Sequence, residues 1–449
     1  MTGESMLPWA ENRDKRALYR EFLRDFSTLD RVRKCGVVCR RPEGVGIVAD
    51  MSVAVGERVA GFRGLVRCGS PSACPRCASV IGAYRSAQII DGLRRWHSEF
   101  SGQALFMTLT MSRGRLHRLD RLWDRLIKAW AKLQMRKSWR DLRFSGGISG
   151  VIRAVEATHK EDRGWHVHLH VLIFTTDLPA LLLAWPTVER DWIGICSTLG
   201  ASASSDAQDL AIADMDHIDR LGAYVAKGGW TIADETVRHD VKSGRGGSSS
   251  PLDLLERACM QGDADAADLW AEWEQATVGR RQLEASRWRS IPVSRDGVLV
   301  TESLTEALGI SLYPGDAFVD ALIESSDSGE VAAADCAGAA IVASVNRGTE
   351  EIAGLTAREF SALRATDANV LLEAVETAEA DDQEALQNHL DSAAAFLGVV
   401  VMVGQDWDDH VSAAPKSKRR ATYLSEHEHT DSDDVLGRLS AFVRGEEIF

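Results

Sequence analysis

The chain has 449 residues, enough for two or three domains with sizeable cores. No apolar run reaches the roughly 20 residues of a membrane span, and residues 1–50 are too charged for a secretory leader, so a soluble cytoplasmic protein with no membrane partner is expected. The net charge of −14 disfavours nucleic acid only on average: residues 1–150 hold 28 Lys+Arg against 14 Asp+Glu, residues 151–300 hold 15 against 23, and residues 301–449 hold 9 against 29. The basic first third can offer a surface to phosphates, whereas the acidic last third is unsuited to direct DNA binding.

Residues 1–30 read as a charged helix with Leu18, Phe22 and Leu23 on one side. Five of the eight cysteines follow, between Cys35 and Cys77. In a reducing compartment such a cluster points to metal or catalysis rather than to disulfides. Cys74-x-x-Cys77 has a chelating spacing, and the glycines after Cys35 and Cys68 let backbone amides approach a thiolate. Cys35, Cys68, Cys74 and Cys77, with Cys39 as the substitute, are expected to hold a structural Zn²⁺; reduced core thiols are the plainer alternative. The scattered Cys196, Cys259 and Cys336 read as small buried hydrophobes.

A helix is predicted over 79–99, then a strand, LFMTLTM, over 105–111. Leu105, Met107, Leu109 and Met111 share one face of that strand; Phe106, Thr108 and Thr110 share the other. The helix predicted over 116–137 has an apolar stripe of Leu119, Trp123, Leu126, Trp130 and Leu133. Arg121, Arg125 and Lys128 on it, with Arg113 and Arg115 before it, form a candidate phosphate track.

IRAVEATHKEDRGWHVHLHVLIF, residues 152–174, reads as two strands joined by a polar turn. His166, His168 and His170 alternate with Trp165, Val167, Leu169 and Val171, so the three imidazoles share one face. Ionisable groups in a core strand need a reason, and a row of imidazoles is best read as a metal site. With the turn centred on Asp162, opposed residue numbers sum to 324 and Glu156 faces His168. Two imidazoles and a carboxylate with open positions suit Mg²⁺ or Mn²⁺; a one-residue slip would turn Glu156 away.

Beyond the hairpin, a helix is expected over 178–183, broken at Trp185-Pro186, and another over 214–229, ended by Gly228-Gly229. Tyr224 and Lys227 lie on one face of the latter. Residues 241–251 read as a linker or exposed loop, 252–290 as two helices, and the rest as acidic and mostly helical, with helix over 370–397 and a strand near Val399. The expected fold class is α+β, a central antiparallel sheet with flanking helices. Its parts are a helical, cysteine-rich zinc-binding segment (1–95), a core holding the histidine hairpin (96–240), a helical extension (241–300) and an acidic, mostly helical C-terminal domain (301–449).

LFMTLT, WHVHLHVLIF and AYVAKGG, in this order and with CGSPSACPRC before them, resemble the motifs of rolling-circle plasmid replication initiators of the HUH endonuclease superfamily. The likeness is to the single-tyrosine actinobacterial type and covers about residues 30–295. It implies a ferredoxin/RRM-like sheet holding the histidines and a helix presenting a tyrosine over it. By motif, His168 and His170 would be the ligands of a catalytic Mg²⁺ or Mn²⁺, Glu156 a third, and His166 an extra member. Tyr224 would be the nucleophile and Lys227 would position phosphate. The reaction implied is nicking of single-stranded origin DNA through a 5′-phosphotyrosyl link, leaving a 3′-hydroxyl primer, and later rejoining; host helicase and polymerase are the implied partners. Related initiators carry an acidic residue one turn before the tyrosine, but that position here is Arg220, so Asp216 and Asp219 are the candidates. A mobilisation relaxase or transposase shares the chemistry, and a non-catalytic zinc-stabilised DNA-binding regulator is the alternative from another class.

Overall fold

The structure is a computed structural model and describes residues 8–38, 45–50, 59–111, 118–145, 147–213, 248–295, 297–312, 349–378 and 383–413. It divides into two units, residues 1–81 with 314–449, and residues 82–313. The first unit opens with helices α1 (Pro8–Phe26) and α2 (Asp30–Arg33) and strands β1 (Val45–Asp50) and β2 (Val59–Arg63). The boundary falls within helix α3 (Pro75–Phe100). The second unit continues with β3 (Gln103–Met111), α4 (Leu119–Gln134), α5 (Lys137–Phe144), β4 (Gly150–Lys160), β5 (Gly164–Thr175), α6 (Leu178–Thr198) and β6 (Asp209–Ile212). It ends with α7 (Pro251–Gln261), α8 (Ala264–Thr277), β7 (Leu283–Ala285), β8 (Arg289–Arg295), β9 (Val298–Ser303) and α9 (Leu304–Leu308). The first unit resumes with β10 (Thr349–Leu355), α10 (Ala357–Ala362), α11 (Ala365–Thr377), α12 (Gln383–Leu397), β11 (Met402–Val403) and α13 (Gln405–Ala413). The class is α+β, and every named strand pairing among the described residues is antiparallel.

The second unit is built on a five-stranded sheet, β6-β3-β5-β4-β7, with the histidine strand in the middle. Its pleat sends Val167, Leu169, Val171 and Ile173 to one face, where all four are buried. Among the described residues the opposite face is covered only in part. Ile152, Ala154, Leu172 and Phe174 pack with Ile89, Leu93 and Trp96 of α3, leaving the first face to α4 and α6. Trp96 meets Phe174 edge-on, ring centroids 5.8 Å apart, and its indole N–H donates to the Gln103 carbonyl at 2.9 Å. Towards His166 on this second face the side chains become half-exposed, so the histidines sit where the helical cover ends.

The β4–β5 register is the one expected: Glu156 opposes His168, Ala154 opposes His170 and Thr158 opposes His166. The turn fixes it. Lys160 pairs with Gly164 across a three-residue loop, and Gly164 takes φ +75°, where a Cβ would be strained.

Several elements differ from the expectations. The helix expected to break at Trp185-Pro186 runs on through it as α6, with Leu181, Val188, Trp192, Ile195 and Cys196 on its buried face. Proline leaves the carbonyl four residues earlier without its helical donor, but that residue, Leu182, is exposed and water can take the bond. The stretch expected as a helical extension is helical over α7 and α8 only; 283–285, 289–295 and 298–303 are strands. The helical stretch over 370–397 is divided between α11 and α12, and the strand near Val399 shrinks to β11. Residues 301–449 do not stand apart: β10 and β11 complete a β11-β10-β1-β2 sheet, and Leu355, Leu371, Leu372, Val375 and Leu390 share a core with Val45, Phe62 and Leu65. Among the described residues no helix is long and apolar enough to cross a membrane.

Candidate functional site

β3 decides how the histidines are held. Its polar face opposes β5 so that Thr110 pairs with His168 and Thr108 with His170. Thr110 Oγ1 lies 3.1 Å from His168 Nδ1, and Thr108 Oγ1 lies 3.3 Å from His170 Nδ1. With Nδ1 protonated and donating to threonine, His168 Nε2 keeps its lone pair for a ligand, while His170 Nε2 does so only when no proton lies between it and Glu156. The two rings are parallel, centroids 6.0 Å apart, and Phe106 stacks on His170 at 5.3 Å. His170 Nε2 meets Glu156 Oε2 at 2.5 Å, and His168 Nε2 meets His166 Nδ1 at 3.0 Å. Glu156, opposite His168 in the ladder, thus reaches diagonally to His170.

Burial pushes His168 down to about 4, helped by the neighbouring His166 and opposed by Glu156. His166 is lowered as well, first by burial and then by Lys160 and Arg163. Neutral imidazole is the form that ligates metals, and both shifts favour it at His166 and His168. Trp165, on the other face, donates its indole N–H to Glu272 at 2.9 Å; the other oxygen of Glu272 accepts from Leu119 N–H at the start of α4. That carboxylate ties α4, α8 and the start of the histidine strand together.

Cys35, Cys68, Cys74 and Cys77 form the other candidate centre, in the first unit. Among the described residues this is the only group of three or more His, Cys, Asp or Glu whose ligand atoms all lie within 4.8 Å of one another; the histidine row does not converge in that way. All four cysteines are buried. The sulfurs of Cys35 and Cys77 are 3.7 Å apart, those of Cys68 and Cys77 3.6 Å, and those of Cys74 and Cys35 3.6 Å. A tetrahedron with metal–sulfur bonds of about 2.3 Å has edges of about 3.8 Å, so the cluster fits a zinc ion. Gly69 takes φ +61° and the next amide, Ser70 N–H, donates to Cys68 Sγ at 3.5 Å. Hydrogen bonds from the other three thiols hold Cys35 well below the usual thiol range. The guanidiniums of Arg20, Arg67 and Arg76 interact electrostatically with Cys35. Four thiolates around a divalent ion carry a net charge of −2, which these cations offset.

Cys39, Arg113, Arg115, Asp216, Asp219, Tyr224 and Lys227 lie outside the described residues, as does Cys336. Arg121 and Lys128 stand exposed on α4, and Arg125 is half-buried there. Cys196 is buried and its thiol pushed up to about 12, inert packing as expected, whereas Cys259 is only half-buried. Sequence reasoning missed Thr108 and Thr110 as imidazole partners. Their alternation was a signal, but it acquires meaning only with the β3–β5 register. It also missed Arg20, Arg67 and Arg76, whose gathering around the sulfurs has no local signature.

Fold and site together define an α+β protein with a histidine strand and a separate four-cysteine cluster. Residues 66–177, which include CGSPSACPRC and the whole hairpin, match the family described as "Replication protein". The chain is similar to "Protein rep" of Streptomyces lividans, 27% identical over 297 residues, 52% of this chain and 65% of that protein. It is similar to "Protein rep" of Lentilactobacillus hilgardii, 29% identical over 244 residues, 53% of this chain and 69% of that protein. A shorter stretch of 134 residues is 32% identical to "Neomycin resistance protein" of Streptomyces cyanogenus, 24% of this chain and 30% of that protein. The chain thus spans less than two thirds of the length of the first and last of these relatives. No solved structure matches. The resemblance to rolling-circle plasmid replication initiators is borne out by the replication-protein match and the two Rep relatives.

Proposed function

We propose that the chain initiates rolling-circle replication of a plasmid by nicking single-stranded DNA at the origin and rejoining strands at termination. The observation that carries this reading is the histidine row, its Nδ1 atoms held by Thr108 and Thr110, at the uncovered end of a sheet inside the segment that matches replication proteins. The fold proposed is of HUH type.

His168 and His170, with Glu156 and with His166 as a further donor, would hold Mg²⁺ or Mn²⁺; the imidazole-rich set favours Mn²⁺. The ion, when bound, polarises the scissile phosphate and offsets its developing charge. Tyr224 is the nucleophile: its oxygen bonds to phosphorus as the bond from phosphorus to the 3′ oxygen breaks, and the released oxygen takes up a proton as a 3′-hydroxyl. The reverse step joins strands with the tyrosine as leaving group. Lys227 neutralises phosphate beside it, and Asp216 or Asp219 activates water at termination. Arg113, Arg115, Arg121, Arg125 and Lys128 track the DNA backbone. Zn²⁺ in the cysteine cluster is structural. The parts keep the proposed division of labour: 1–95 metal-stabilised, 96–240 catalytic, 241–300 supporting and 301–449 without direct DNA contact. Host helicase and polymerase are the proposed partners and the cytoplasm the proposed location.

The test is covalent capture. The protein is mixed with single-stranded oligonucleotides spanning its plasmid's origin, with Mn²⁺ or Mg²⁺, and adducts are read on a denaturing gel. An adduct is expected with the native chain, none with Tyr224→Phe, and at least a hundredfold slower cleavage with His168→Ala or His170→Ala. An adduct that survives Tyr224→Phe removes the nucleophile assignment. Specific origin binding with no adduct under any metal favours the zinc-stabilised regulator, and nicking only at a transfer origin favours the relaxase.

A further inference from the structure

The inward face of α1 is cationic. Arg13, Arg16 and Arg20 recur at helical spacing around the buried Ala17 and line a cavity of about 60 Å³ with Arg76, at the start of α3. Apolar side chains, among them Phe62 and Phe360, and the Asn369 amide complete the wall; among the described residues four guanidiniums and no carboxylate line the space. Carboxylates meet this set at its Arg13 end, where Glu373 also acts on Arg13. Arg13 is paired with Glu376 at 2.6 Å, and Asp14, on the same helix, accepts from Asn369 at 2.6 Å. Arg20 and Arg76 also serve the cysteine cluster. Arg16 donates to the Ser79 hydroxyl at 3.0 Å, a neutral partner, and burial beside Arg13 lowers it to about 10. Arg20 Nε is fully buried with no hydrogen-bond partner among the described residues.

We infer that this cavity is a binding site for a tetrahedral oxyanion, a phosphate either free or as a terminal monoester, set apart from the histidine strand. Planar guanidinium forks match phosphate oxygens, and the buried Arg20 Nε has a donor left to give. At about 10–15 Å³ per water the space holds about four to six waters, enough for a phosphate head. Anion and zinc sites share Arg20 and Arg76, so the phosphate is bound by a surface that the cysteine cluster helps to shape.

The test uses the full-length, zinc-loaded chain in calorimetric titration with inorganic phosphate, against sodium chloride at equal ionic strength. Saturable binding at one site is expected, weakened at least tenfold in Arg16→Gln, while origin-DNA nicking by that variant stays unchanged. No saturable binding beyond chloride, or equal binding by Arg16→Gln, overturns the site. Should Arg16→Gln not fold, Arg16→Lys keeps the charge and loses the fork, and a fall of about threefold is expected; no fall overturns the assignment. An oligonucleotide with a 5′-phosphate that competes better than its 5′-hydroxyl counterpart assigns the ligand to a DNA end, whereas equal competition assigns it to free phosphate. Loss of nicking with phosphate binding intact would sink the proposed reaction and leave this site standing.

Discussion

Thr110 and Thr108 fix the tautomer and aim of His168 and His170. Removing the hydroxyl while keeping the shape, Thr110→Val, is expected to weaken Mn²⁺ binding by about 10–100-fold with the fold intact. Titration calorimetry beside circular dichroism checks both. The pH response follows from His168, whose folded value is about 4 against 6.5 when exposed. Between those values the unfolded chain holds the extra proton, so stability falls as pH drops from about 6.5 towards 4. The penalty is complete below both values and is at most about 3 kcal/mol. His168→Gln should flatten the urea-midpoint profile across that window; an unchanged profile would show that His168 is not the group being charged. The three imidazoles and Glu156 were legible from alternation and turn length alone. The diagonal reach of Glu156 to His170, and the threonine partners, were not, since they depend on rotamers and on a strand some sixty residues earlier.

At the scale of elements, β5 owes its place to alternation: one face wholly apolar, the other changing from histidine to Leu172 and Phe174 where α3 begins to cover it. Leu169 is fully buried on the apolar face, and Leu169→Ala is expected to destabilise the second unit by about 2–5 kcal/mol, read from denaturant midpoints. The cysteine segment is a different kind of element, irregular and held by its sulfurs. One zinc per chain is expected by metal analysis, falling to none in Cys74→Ser, with hydrogen-exchange protection lost around 35–77. Full protection without metal would reduce the cluster to packed thiols. The cysteine spacing was readable because chelation is local. The run of α6 through Pro186 was not, because its buried face outweighs the proline at an exposed turn.

At the scale of the whole chain, the acidic last third looked separable and is structural. β10 pairs with β1 from Val45↔Leu355 to Asp50↔Thr349, across three hundred residues of sequence, and α11 lies against α1. Truncation after residue 312 would strip the partners of Val45, Phe62 and Leu65. The truncated chain is expected to lose its zinc and to be cut by protease within 45–81, while an intact cluster in it would show that the first unit needs no C-terminal half. Acidity in this region excludes neither core nor sheet, because charge composition reports the outer surface.

The sequence by itself determined the α+β class, the imidazole face, the hairpin register and the four candidate sulfur ligands. Each follows from a period, a turn length or a chelating spacing acting over a few residues. Only the tertiary structure decided that threonines hold the imidazoles, that α3 covers half of their face, that arginines surround the sulfurs, and that the last third closes the first unit. Those outcomes are pairings between distant segments, and no local pattern specifies which distant segment a strand edge or a helix face will meet.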